Sequence, residues 1–92
     1  MVKLKLEYIT EYINKKIYKN ENFITVTFYE LRVKEDLSKE DTYIFLQMSK
    51  QRLINLGYTI YETGQKYTYA GKEKTVRSNV FYVAIKEESS LN

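Results

Sequence analysis

The stretch TIYETGQKYTYAGKEKTVRSNVFYVAIK, residues 59–86, decides how this chain is read. Its β-branched and aromatic residues alternate with polar ones, the period-two pattern of half-buried strands, and Gly64, Gly71 and Ser78-Asn79 interrupt it. Folded about Ala70-Gly71-Lys72-Glu73, it forms one long β-hairpin that pairs Tyr69 with Lys74, Tyr67 with Val76, Ile60 with Val83 and Tyr58 with Ile85. Tyr58, Ile60, Phe81, Val83 and Ile85 then share an apolar face at the base, and Tyr61 and Tyr82 form a cross-strand pair on the outer face. Gly64 opposite Ser78-Asn79 marks a bulge or bend. Beyond it, Lys66, Thr68, Thr75 and Arg77 share one face, and Gln65, Tyr67, Tyr69, Lys74 and Val76 share the other. The tip is expected to project about 23 Å from Gly64 to Ala70, at ~3.3 Å per residue.

Before Gly57 the period is helical. Val2, Leu6, Ile9, Ile13 and Ile17 stack on one face of a helix spanning 2–18, widened by Leu4, Tyr8 and Tyr12. FITVT, residues 23–27, reads as a short strand with Ile24 and Val26 on one side. Thr27-Phe28-Tyr29-Glu30 matches a capping box and opens a second helix over 28–35, expected to bury Phe28, Leu31 and Val33. Asp36-Leu37-Ser38 is the turn. Ser38-Lys39-Glu40-Asp41 caps a third helix over 39–56, whose inner face carries Phe45, Leu46, Ser49, Leu53 and Leu56. Gly57 fits the left-handed position past its end. The fold class is therefore α+β: three helices, a short strand and a C-terminal hairpin, in one domain over 1–86 with a polar tail over 87–92.

Ninety-two residues without Cys or His lack the usual zinc ligands, thiol nucleophiles and neutral-pH acid–base group. No paired carboxylates or Gly-rich phosphate loop offer an alternative, so the chain reads as no enzyme and needs no cofactor. No run is long and apolar enough to span a bilayer, and the start lacks a signal-peptide stretch; a cytoplasmic protein with no membrane partner is expected. The net charge is only +3, but segments 2–20 and 64–79 each carry +3 while 21–63 carries −2 and 80–92 carries −1. Polyanions should meet the protein at the two basic segments. Ten tyrosines against no tryptophan suit strand faces and wet interfaces.

The order of helix, strand, two capped helices and long hairpin resembles winged helix-turn-helix proteins over nearly the whole chain. The resemblance is carried by Thr27-Phe28-Tyr29-Glu30-Leu31, Arg52-Leu53-Ile54-Asn55-Leu56-Gly57-Tyr58 and Val80-Phe81-Tyr82-Val83-Ala84-Ile85-Lys86. Small plasmid-borne members look most similar: TcpK-type relaxosome accessory proteins and, behind them, TubR-type partition proteins. The resemblance implies a homodimer on duplex DNA, with the third helix in the major groove and the wing along the backbone or minor groove. It also implies work within a plasmid-processing or transcription complex, in conjugation (at an origin of transfer), partition or regulation. One departure stands out: Glu40 and Asp41 open the third helix and would face phosphates there.

The expected DNA contacts are therefore the wing's Lys66, Tyr67, Thr68, Tyr69, Lys72, Lys74, Thr75 and Arg77, joined by Lys3 and Lys5 at the first helix start. Arg77 is the candidate reader of a base edge or narrow minor groove, and the lysines set position. Tyr43, Gln47, Lys50 and Gln51 are secondary DNA or dimer contacts. Against this stand a solvated edge hairpin whose lysines only block edge pairing, and a small inhibitor or adaptor that binds another protein and no DNA. RNA stacked on Tyr67 and Tyr69 is a further option, without an aromatic sheet signature behind it.

Overall fold

The computed structural model describes residues 5–86, an α+β arrangement of three helices and antiparallel sheets. Lys3 and the rest of residues 1–4, together with the tail 87–92, lie outside the described residues. The first helix, α1 (Leu6–Lys19), follows Lys5, whose backbone is extended. Ile9 and Ile13 are fully buried and Ile17 partly so, while Leu6 stays exposed at the helix start.

Strand β1 (Phe23–Thr27) alternates as expected, with Ile24 and Val26 in the core. The capping box closes in both directions. The Glu30 amide donates to Thr27 Oγ1 at 3.2 Å, and the Thr27 amide donates to Glu30 Oε1 at 3.1 Å. The segment it opens, Tyr29–Lys34, is a π-helix rather than an α-helix over 28–35. Its wider coil sends the Glu35 amide back to the Glu30 carbonyl at 2.8 Å, a five-residue step. That step breaks the 3.6-residue stripe, so only Leu31 is buried, and Phe28 and Val33 are 48% and 56% exposed. Asp36, at φ 55°, turns the chain, and Leu37 plugs the core beneath.

Helix α2 (Lys39–Asn55) is capped by Ser38, whose Oγ accepts from the Asp41 amide at 3.1 Å. Thr42, Phe45, Ser49 and Leu53 form its buried ridge. Gly57, at φ 99°, ends it in a Schellman motif: the Gly57 amide reaches the Ile54 carbonyl (3.0 Å) and the Tyr58 amide reaches that of Leu53 (2.9 Å). The expected end at residue 56 is this non-helical cap, Leu56.

The C-terminal third is not one continuous ribbon over 58–86. It forms β2 (Thr59–Glu62), β3 (Lys66–Tyr69), β4 (Lys72–Thr75) and β5 (Val80–Ile85). One sheet has the order β1-β5-β2, and β3-β4 is a separate pair. The observed partners are Ile60 with Ala84 and Tyr61 with Val83, one residue away from the expected register. At the tip, Tyr69 pairs with Lys72 and Tyr67 with Lys74, because Ala70 (φ 53°) and Gly71 (φ 78°) make a two-residue left-handed turn. The expected turn residues Lys72 and Glu73 belong to β4.

The two slips have opposite consequences. Moving the tip by two residues leaves its faces unchanged, whereas moving the base by one inverts β5. The bend supplies the odd count: residues 63–65 separate Glu62 from Lys66, and residues 76–81 separate Thr75 from Tyr82. Tyr82 and Ala84 therefore face the helices, and Val83 and Ile85 face away. Tyr82 is 1% exposed and donates to Ser49 Oγ at 2.7 Å, so it makes no outer pair with Tyr61. Burial raises the Tyr82 hydroxyl pKa, against the lowering by Ser49.

Val83 and Ile85 cannot stay bare on the far side of the sheet, since burying each is worth roughly 1.5–3 kcal/mol. The β3-β4 hairpin covers them. Tyr67 (9% exposed) and Val76 join Val83 and Ile85 in a second small core, edged by Phe23, Tyr61, Tyr69 and Val80. Ring centroids lie 5.9 Å apart for both Phe23–Tyr67 and Tyr61–Tyr67, and 4.7 Å apart for Phe23–Tyr69. The hairpin lies against its own body instead of projecting freely for its full length.

Behind the sheet, Glu30 gathers polar groups from two elements, α1 and β1. Lys16 Nζ, Tyr12 Oη (3.1 Å) and the Thr27 amide donate to its carboxylate. Burial alone raises this carboxyl, but the Lys16 and Thr27 bonds, the ammonium charge and Tyr12 together hold it below the ordinary value. Lys16 also donates to the Thr25 carbonyl at 2.9 Å, on the side of β1 away from β5.

Candidate nucleic-acid interface

The β3-β4 register sets the geometry of the basic hairpin. Lys66 opposes Thr75 and Thr68 opposes Glu73 on its outward face. Tyr67 opposes Lys74 and Tyr69 opposes Lys72 on the face turned to the sheet. Lys66, Thr68, Lys72, Lys74, Thr75 and Arg77 are exposed, Tyr69 is half-buried, and Tyr67 is buried. The Tyr67 ring is therefore a packing residue, contrary to its expected contact with DNA.

Among the described residues, the salt bridges are Lys16–Glu30, Lys50–Glu62 (2.6 Å) and Lys86–Glu21 (3.6 Å). None of them engages Lys66, Lys72, Lys74 or Arg77. The hairpin has folded down, yet its cations remain exposed. Where it crosses β1 it leaves two concavities. One, about 370 Å³, is lined by Phe23, Tyr67, Tyr69, Lys72 and Lys74, with Asn20 at its end. The other, about 540 Å³, shares Phe23, Tyr67 and Lys74 and runs on to Thr25, Thr75 and Arg77.

Other expected contacts are not brought to this place. Lys5 precedes α1 and Asn20 follows it, so the 14-residue helix holds them about 21 Å apart at ~1.5 Å per residue. Lys3 lies outside the described residues. Tyr43, Gln47 and Gln51 are exposed on α2, beside β2 rather than β1. Gln51 Nε2 donates to Asn55 Oδ1 at 3.0 Å, and Lys50 is neutralised by Glu62. In the first turn of this helix a phosphate would meet Glu40 and Asp41 beside the single cation Lys39, a net negative end.

Sequence reasoning missed Phe23, Thr25 and Asn20, because nothing local in 20–27 signals that a distant hairpin will lie over β1. On α2, Ile44, Met48 and Ile54 are exposed. No described helix is long and apolar enough to cross a membrane. Comparison with protein-family models, with curated proteins and with solved structures finds no match.

Proposed function

We propose that this domain binds duplex DNA through the basic hairpin and performs no chemistry. The observation that carries the reading is the contrast in charge pairing. Glu30 and Glu62 hold internal lysine partners, while Lys66, Lys72, Lys74 and Arg77 have none among the described residues. Cations left unpaired on one hairpin are what phosphate contact requires. The sheet order β1-β5-β2, with two capped helices between β1 and β2 in the chain, supports the winged-helix resemblance. The reading departs from that plan in one respect: the hairpin leads, and α2, with its acidic start and neutralised Lys50, is secondary. A role as a cytoplasmic plasmid or phage accessory factor or regulator rests on the resemblance alone.

The outward face of α2 supports a homodimer. Tyr43, Ile44, Met48 and Ile54 are exposed there beside Gln47 and Gln51, and a largely uncharged face can meet its own copy without like-charge repulsion. Fluorescence anisotropy of a labelled random-sequence duplex at low salt tests the main reading, with binding expected at micromolar protein or below. No change in anisotropy at that concentration refutes it. Sedimentation of the free protein tests the dimer: twice the chain mass is expected, and Met48→Glu should halve it.

A further inference from the structure

The sheet-facing side of the hairpin alternates two chemistries. Directly opposed residues in an antiparallel pair hold their Cβ atoms roughly 4.5–5.5 Å apart. The Lys72 and Lys74 stems therefore run beside the rings of Tyr69 and Tyr67, and their ammonium groups stand exposed at the mouth of the 370 Å³ concavity. Its floor is aromatic, with Phe23 and Tyr69 4.7 Å apart at their centroids. Its volume lies within the range of small-ligand sites, at the lower end of roughly 300–1,000 Å³.

We propose that this concavity receives one unpaired base of a DNA strand, stacked against Tyr69 and Phe23, while Lys72 and Lys74 hold the phosphates on either side of it. Four observations converge on that ligand. Tyr67 completes the second core, but Tyr69 is only half-buried and lines the open side, so a ring remains for stacking. Lys72 and Lys74 are two residues apart, a step of about 6.6 Å at ~3.3 Å per residue. Two charges in a row suit a chain of phosphates better than one compact anion. Among the described residues no carboxylate lines the concavity: Glu73 opposes Thr68 on the other face. Asn20 Oδ1 already accepts from the Asn22 amide at 3.1 Å, which leaves the Asn20 side-chain NH₂ to donate to a base edge. The adjoining concavity, which shares Lys74 and reaches Arg77, continues the path for neighbouring nucleotides.

This inference rests on the DNA-binding reading and refines it, from uniform duplex to duplex interrupted by an unpaired stretch. The test uses the full chain and two labelled duplexes of equal length, one intact and one with a five-thymidine gap. Anisotropy should show the gapped duplex bound more tightly by roughly 5- to 150-fold, the range one stacked base supplies. Tyr69→Phe should keep that ratio, and Tyr69→Leu, which retains apolar contact with Phe23, should bring it near one. Equal affinity of the wild type for both duplexes overturns the proposal while leaving duplex binding intact. Binding to neither overturns both. Should Tyr69→Leu fail to fold, ring-proton shifts of Phe23 and Tyr69 in the wild type titrated with a thymidine pentamer decide; rings that do not shift overturn the proposal.

Discussion

Replacing Lys72 and Lys74 together by alanine should change how steeply salt weakens DNA binding. All four hairpin cations are exposed and without an ion pair among the described residues, so each can release counterions from one phosphate. At about 0.9 logarithmic units per contact, four contacts set a slope near −3.6 in log Kobs against log salt. Raising salt from 50 to 200 mM then weakens wild-type binding roughly 150-fold. With two contacts removed the slope falls to about −1.8, and the same change in salt costs only about 12-fold. Neither side chain packs in a core, so the double variant should keep its stability within roughly 0.5 kcal/mol. Anisotropy titrations at four salt concentrations, checked by thermal melting, read both quantities. Lys39→Ala, a cation on α2 away from the hairpin, serves as the control. A slope unchanged from wild type in the double variant would falsify phosphate contact by these two lysines.

Further outcomes follow from the packing and titration of particular groups. Tyr67→Ala empties the centre of the second core and should cost roughly 3 kcal/mol in urea unfolding, with β3-β4 amides losing hydrogen-exchange protection first; uniform loss of protection would contradict a separately docked hairpin. Gly57→Ala, which forces a Cβ into φ 99°, should cost about 1 kcal/mol by the same assay although no atom lies within 4 Å of the added carbon. The folded Glu30 carboxyl titrates below its ordinary value of 4.5, so its stabilisation is present above that pH and fades as pH falls through the lowered value. Glu30→Gln should flatten the acid limb of stability against pH; an unchanged limb would assign it to other groups.

Features set within a few residues were legible in the sequence. The Thr27–Glu30 box, the Ser38 cap and the left-handed Gly57 each depend on groups three or four positions apart, and all three form as expected. Phe45, Ser49 and Leu53 of the α2 ridge were legible for the same reason. Leu56, expected on that face, is exposed past the helix end, and Thr42 is buried in the first turn instead. The π geometry of Tyr29–Lys34 was not, since a four-residue and a five-residue step share one cap. The orientation of β5 depended on parity. Nothing local states that residues 63–65 face residues 76–81 across the bend, and that difference alone moved Tyr82 into the core and Val83 out of it. The concavity over β1 follows from this inversion, because the hairpin bends back to cover what β5 turned outward. Its tyrosines and lysines could be named from alternation, but Phe23 could not, as it belongs to a strand some forty residues earlier.

The contact of Lys16 with Thr25 bears on how this chain behaves at high concentration. β1 is a border strand whose outer hydrogen-bonding groups invite a stranger's strand to add on. An ammonium seated on the Thr25 carbonyl occupies one of those acceptors and sets a charge where an incoming backbone would have to lie. Neutralising that nitrogen, as lysine acetylation does, would reopen the border and favour chain-to-chain sheet extension.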